Sequence, residues 1–153
     1  MINAHHFFTK ALSQSDEIQE ETHGNIFIYP CDEELDKNPP KPYIVVANRG
    51  TQNDSTCKDD SEYDGNVDNT TIEIVVCGDE DEQIVRVAQL VRDCIATAMR
   101  SFDADQFETL GWWLQDSSYS DSGIAFNDYT LNRSTNITYR IETSKQYGTR
   151  KRI

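Results

Sequence analysis

The stretch CKDDSEYDGNVD, residues 57–68, carries five carboxylates in twelve residues. Numbered from Asp60, it places acidic side chains at positions one, three, five and nine of a calcium-binding EF-hand loop, and Gly65 at position six. Position twelve, which needs a bidentate Glu, is Thr71. EF-hand loops also join two helices, whereas β-type sequence flanks this stretch on both sides. We therefore interpret it as an acidic surface loop and expect no metal site.

Few other groups in the sequence have the types and spacing that catalysis requires. There is no nucleophile elbow, phosphate-binding loop or dinucleotide-binding glycine motif. The imidazoles of His5, His6 and His23 do not show the spacing of a structural zinc site. The four cysteines form no C-x-x-C pair, so we expect free thiols in a cytosolic setting. We expect no enzymatic activity, no catalytic residue and no cofactor.

Charge is distributed unevenly along the chain. The net charge is −13, and residues 53–82 hold eleven acidic residues against one Lys. We expect no sequence-specific nucleic-acid binding, because phosphate contacts need clustered Lys and Arg. The acidic loop is defined by six carboxylates: Asp54, Asp59, Asp60, Glu62, Asp64 and Asp68.

The C-terminal residues reverse this charge. We expect residues 145–153 to form a flexible basic tail. Its cations are Lys145, Arg150, Lys151 and Arg152. A chain with an acidic middle and a basic end can attract copies of itself, so we interpret the basic tail as an inter-subunit contact.

Apolar periodicity predicts the elements that position these charges. A short N-terminal helix is indicated by Phe7, Phe8, Ala11 and Leu12, and strands are indicated at 25–29, 43–47 and 71–77. A long helix follows an acidic first turn, since its apolar residues recur at steps of three and four. Those residues are Ile84, Ala88, Val91, Ile95, Ala98 and Phe102.

The last third of the chain reads as two further strands, FETLGWWLQDSS and NITYRIET, separated by a polar segment. Trp112 and Trp113 are adjacent, so in a strand one ring enters the core and the other is partly exposed, or else anchors a partner. The 153 residues fit a single domain, 1–153. We predict an α+β two-layer sandwich, a mostly antiparallel sheet packed by one long helix plus the short N-terminal helix.

Three stretches in order resemble the tail completion or tail terminator proteins of phages. These are KALSQSDEIQEETHGNIFIYP, then KPYIVV, then TTIEIVVCGDEDEQIVRVAQLVRDCI after a polar loop. Together they span about residues 7–102. The polar segment 116–133 departs from the family's compact pattern, and the C-terminal third is similar only in ending on a strand.

The resemblance implies a structural virion protein of a long-tailed phage or prophage. Proteins of this family form a ring, expected here to be a hexamer, that caps the tail tube at the end nearest the head. The implied partners are other copies, the tail tube protein and a neck or head completion protein. DNA passes through the ring without specific binding, no membrane is involved, and the protein is in the host cytoplasm until it joins the virion tail.

In that setting the acidic loop has a physical role, because a lumen lined by carboxylates repels DNA phosphates. Two other interpretations remain open. One is a subunit of the neck or head-to-tail connector, which is also a ring former. The other is a monomeric protein-binding module whose groove uses Trp112 or Trp113.

Overall fold

The computed structural model describes residues 4–29, 39–54, 67–100, 112–127 and 132–145. These residues form three helices and five strands in two layers. The helices are α1 (Ala4–Ser13), α2 (Asp16–Thr22) and α3 (Asp81–Arg100), and the strands are β1 (Ile26–Tyr29), β2 (Tyr43–Asp54), β3 (Val67–Gly78), β4 (Trp112–Asn127) and β5 (Asn132–Lys145). The predicted α+β sandwich is confirmed.

The strands form one sheet in the order β1-β2-β3-β5-β4. Only β1 and β2 are parallel, and the other three neighbouring pairs are antiparallel. Branched side chains meet across the central strands, where Ile44 pairs with Val76 and Ile74 pairs with Ile137. Such cross-strand pairs suit a half-buried pleated surface, so the alternation along these strands determines which side of the sheet is buried.

The core lies between α3, α1 and one side of the sheet. Ile72, Ile74 and Val76 alternate along β3 and are all fully buried on this side. The predicted stripe of α3 meets them with Ile84, Ala88, Val91 and Ile95, which are 2% exposed or less. Ala98 is half-buried, and Phe102 lies outside the described residues. Burying each large aliphatic side chain stabilises the fold by about 1.5–3 kcal/mol relative to leaving it exposed.

The turn from β3 into α3 depends on one glycine. A Cβ at Gly78 would lie 2.8 Å from Cγ1 of Ile84, too close for any larger residue without movement. Gln83 then accepts a hydrogen bond from the backbone N–H of Asp79, while Asp81 and Glu82 place carboxylates in the first helical turn. The close approach brings the start of α3 directly over the end of β3.

The N-terminal segment forms two short helices where the sequence predicted one. The backbone N–H of Ile18 donates a 3.4 Å hydrogen bond to the Ser15 hydroxyl, which caps α2 and separates it from α1. Phe8 and Leu12 of α1 are buried as predicted, and Ile18 of α2 joins them in the core. The cap explains the difference, since apolar spacing alone does not show where a new helix begins.

The polar segment 116–133 is mostly β-structure. Strand β4 extends through Asn127 and strand β5 begins at Asn132, so the two form a long antiparallel pair. Apolar alternation could not predict this, because residues 118–126 are exposed on both sides of the strand. Of the helices that the structure describes, none has the length and apolar character needed to cross a membrane.

We expect Val91→Asp to unfold the protein, because it buries an unpaired carboxylate at a cost of several kcal/mol, comparable to the stability of an ordinary domain. Val85→Asp is the matched control, since Val85 is 55% exposed on the same helix. We expect that control to change the melting temperature little. Similar thermal melts for the two variants would contradict the assigned register of α3.

Candidate assembly surfaces

The acidic loop belongs to the β2–β3 hairpin. Strand β2 ends at Asp54 and β3 begins at Val67, and these two residues pair. Residues 55–66, which include Asp59, Asp60, Glu62 and Asp64, lie outside the described residues. The described strands therefore fix where this charged segment leaves the sheet and returns to it.

The structure places Asp68 in a strand, whereas the sequence predicted that it belongs to the exposed acidic loop. It is the second residue of β3 and only 4% exposed. Strand alternation explains this, because Asp68, Thr70 and Ile72 point to the same, buried side of the sheet. Asp54 is likewise a strand residue, the last of β2.

The basic tail starts at the same end of the sheet. Lys145, assigned to the tail from sequence, is the last residue of β5, and Arg150, Lys151 and Arg152 lie outside the described residues. Ser144 near the end of β5 pairs with Val67, the first residue of β3. The strand that precedes the basic tail is therefore adjacent to the strand that follows the acidic loop. The two oppositely charged segments therefore leave neighbouring strands of one chain.

The side of the sheet opposite α3 has a polar part and an apolar part. Over β5 it presents small polar residues such as Asn136 and Thr138, and Arg49 and Glu73 form a 2.8 Å ion pair beside them. Toward β1 it carries a small cluster of Phe27, Tyr43 and Cys77. This side therefore divides between a flat hydrophilic surface and a second, smaller apolar cluster.

Neither described cysteine has the character of a nucleophile. Burial raises the pKa of the Cys77 thiol. A hydrogen bond with Tyr43 and the charge of Lys41 lower this pKa, but the effect of burial is larger. Burial also raises the pKa of Cys94. Both are free thiols, as predicted, and at neutral pH both are held in the protonated, weakly nucleophilic form.

Strand β4 is held to the helical layer by one polar network. Asp121 accepts hydrogen bonds from Arg92 of α3 at 2.5 Å, from the Thr135 hydroxyl at 2.6 Å and from the backbone N–H of Gly123 at 3.0 Å. Burial opposes ionisation of Asp121, but the bonds from Thr135 and Gly123 and the charge of Arg92 together lower its pKa. The ionised carboxylate thus links the edge strand to both β5 and α3.

This network lies at an irregularity of the edge strand. The register of β4 against β5 shifts between Asp121 and Ile124, and Gly123 has a left-handed φ of 78°. A bulge of this kind bends the strand and interrupts its ladder. Sequence reasoning missed the network, since one Asp in a Ser-rich segment gives no signal of its partners.

Large apolar side chains are exposed on the same strand. Tyr119 is 56%, Ile124 38% and Phe126 49% exposed. Tyr119 pairs with the buried Tyr139, so all three point to the core side of the sheet and are nevertheless exposed there. The side chains of Trp112 and Trp113 lie outside the described part of β4, so neither interpretation of these residues is tested.

Within the described ranges, no group of three His, Cys, Asp or Glu side chains is placed to hold a metal ion. The described surface features are a polar part of the sheet over β5 and an edge strand with exposed apolar residues.

Comparison with known proteins gives similarity to solved structures. No family model matches the sequence, and no curated protein matches it. A chain from a solved structure described as "Virion of native gene transfer agent (GTA) particle" is similar with a TM-score of 0.55 and 9% sequence identity. The similarity covers 92% of this chain and 93% of that chain. At this identity the match shows that the two chains share a fold.

We expect Asp121→Asn to lower the free energy of unfolding by about 1–2 kcal/mol at pH 7, because it weakens charge-assisted hydrogen bonds that are only partly exposed. The lowered pKa means that this stabilisation is present above the ordinary Asp pKa of about 3.9 and is lost as pH falls through the folded value. Denaturant unfolding from pH 7 to pH 3 should therefore show the two proteins converging in acid.

Asp93→Asn is the control, since exposed Asp93 accepts a hydrogen bond only from Gln89 among the described contacts. A constant difference between wild type and Asp121→Asn across the pH range would show that ionised Asp121 does not anchor β4.

Proposed function

We propose that this chain is a non-enzymatic structural protein of a phage-like virion, in which it forms a ring that ends the tail tube and provides the surface for head docking. The observation that carries the proposal is the fold shared with a chain of a gene transfer agent virion over nearly the whole length of both. The order of elements supports it too, since residues 7–102 resemble phage tail terminators.

Two features of the described residues are consistent with such a role. Every described strand belongs to one sheet, which leaves two different sheet edges, at β1 and β4, for contacts with neighbours. The hairpin that carries the acidic loop and the strand that precedes the basic tail end side by side. The two charged segments therefore leave the sheet from neighbouring strand ends, and apolar side chains are exposed at one edge.

In the proposed ring, the acidic loop faces the path of the DNA. The loop carries Asp59, Asp60, Glu62 and Asp64 and a single cation, Lys58. Its net negative charge repels a DNA phosphate that comes within about one Debye length of the loop. The genome then passes without adhering to the protein. The proposed partners are the tail tube protein, a neck protein and other copies of the chain.

Deletion of the gene for this chain tests the proposal. We expect full heads and separate tails, with tails longer than those of wild type because tube growth is not stopped, and we expect expression of the chain in trans to restore joined particles. Negative-stain microscopy measures both outcomes. Separate tails of normal length would favour the neck connector, and normal particles would exclude a virion role in assembly.

The acidic lining is tested by charge reversal. We expect replacement of Asp59, Asp60, Glu62 and Asp64 by Lys to leave particle numbers unchanged and to lower the titre per particle by about tenfold or more, because the lumen then attracts phosphate. Replacement of the same residues by Asn or Gln removes charge without adding attraction and is the matched control. Normal titre for the Lys variant would show that the loop does not face the DNA.

A further inference from the structure

We propose that the exposed apolar residues of β4 are the surface on which a second copy of this chain docks, through the β1 edge of that copy. The β4 patch is defined here as Tyr119, Ile124 and Phe126. This inference deepens the proposed function and rests on it, because it names the two surfaces that meet in the ring.

Among the described contacts, α3 reaches β4 through the bond from Arg92 to Asp121, and the β4 patch on either side of that bond stays exposed. Helix α3 packs on β3 and β5, and α1 packs on β1 and β2. The three patch residues pair with Tyr139, Thr135 and Arg133 and point to the core side, yet each is more than one-third exposed. Most exposed large hydrophobics of the described residues lie on this one strand; the other two are Tyr29 and Val85. An apolar row beside a free strand edge is typical of an interaction surface.

The opposite edge of the same sheet supplies a matching surface. Ile26 and Ile28 of β1 pair with Ile44 and Val46, so they also point to the core side, and both are only half-buried. An edge strand from another copy would bring these isoleucines beside the patch on the same side of the sheet, so that each set reduces the exposure of the other. The two surfaces present apolar residues on the same side of the sheet, as packing of one copy beside the next requires.

Strand direction also agrees with this arrangement. Strand β1 runs parallel to β2, and β2, β3, β5 and β4 alternate in direction across the sheet. Consequently β1 and β4 run in opposite directions, and β1 of one copy beside β4 of another continues the antiparallel pattern. Because two different surfaces meet, the contact is heterologous and produces a ring when its rotation closes.

The bulge in β4 limits what else can bind. The register shift between Asp121 and Ile124 and the bond from the Gly123 N–H to Asp121 interrupt the free ladder in the middle of the strand. Native sheets use such bulges to prevent indiscriminate pairing of edges. Side chains on either side of the bulge, Tyr119 before it and Ile124 and Phe126 after it, then decide which partner fits.

The first test uses the purified full chain and its self-association. We expect Ile124→Asp with Phe126→Asp to weaken assembly at least tenfold while far-UV circular dichroism stays unchanged. The matched control is Ser118→Asp with Ser120→Asp, which adds the same charge to the opposite side of β4, where these residues pair with Arg140 and Thr138. Sedimentation velocity centrifugation should show wild type and control as multiples of 17.5 kDa and the patch variant as a monomer.

A patch variant that assembles like wild type would overturn the proposal, as would a wild-type chain that stays monomeric at every concentration. If the double variant loses its circular dichroism signal, Phe126→Ser replaces it, because this change removes the exposed ring without adding charge. The same tenfold loss is then expected.

The second test identifies the occupant. We expect Ile28→Asp, or Ile28→Ser if the first does not fold, to be monomeric as well, and we expect a mixture of this variant with the patch variant to form dimers but no larger species. Each variant retains one intact surface, so exactly one contact can form. Assembly of the Ile28 variant like wild type, or a mixture that remains monomeric, would show that β1 does not dock on the patch.

These outcomes are independent of the particle experiments. Suppose that the chain assembles through β4 and β1 in solution but that deletion of its gene leaves normal particles. The docking of β4 on β1 would then stand, and the virion role would be contradicted. If the deletion separates heads from tails but the patch variant still assembles, the virion role would stand and the docking of β4 on β1 would be contradicted.

Discussion

The apolar stripe of α3 has to be buried, and one side of the five-stranded sheet is the surface that buries it. Ile72, Ile74 and Val76 on β3 meet Val91 and the rest of that stripe without remaining exposure. The close approach at Gly78 places the start of α3 over the end of β3. Helix α3 lies over β3 and β5, and α1 lies over β1 and β2. The outermost strand, β4, is held by its pairing with β5 and by the polar contacts of Asp121, and its apolar residues on the core side stay exposed.

This division between a covered centre and an uncovered edge connects the fold to the proposed assembly. Tyr119 and Phe126 are exposed at the edge of the sheet, where a neighbouring copy can bury them. The charged segments are separated from that contact, because the acidic loop and basic tail start from the ends of β2, β3 and β5. Contacts between copies and repulsion of DNA would then be functions of different parts of one sheet.

The sequence predicted the elements whose burial has a clear period and missed those held by polar contacts. The steps of Ile84, Ala88 and Val91 and the alternation of β3 indicated α3, the sheet and their packing. Strand order was not predictable, since pairing of β3 with β5 depends on contacts distant in sequence. The cap at Ser15, the extension of β4 and the burial of Asp68 were missed because each depends on neighbours that periodicity does not show.

The most direct test is a cryo-electron microscopy reconstruction of the junction between head and tail of the particle that contains this chain. The account predicts copies of this five-stranded sheet and its α3 layer repeated around the tail axis at the end of the tube, with β4 of each copy against β1 of the next. A junction built entirely from other chains, or this chain present as a single copy away from the tail axis, would contradict it.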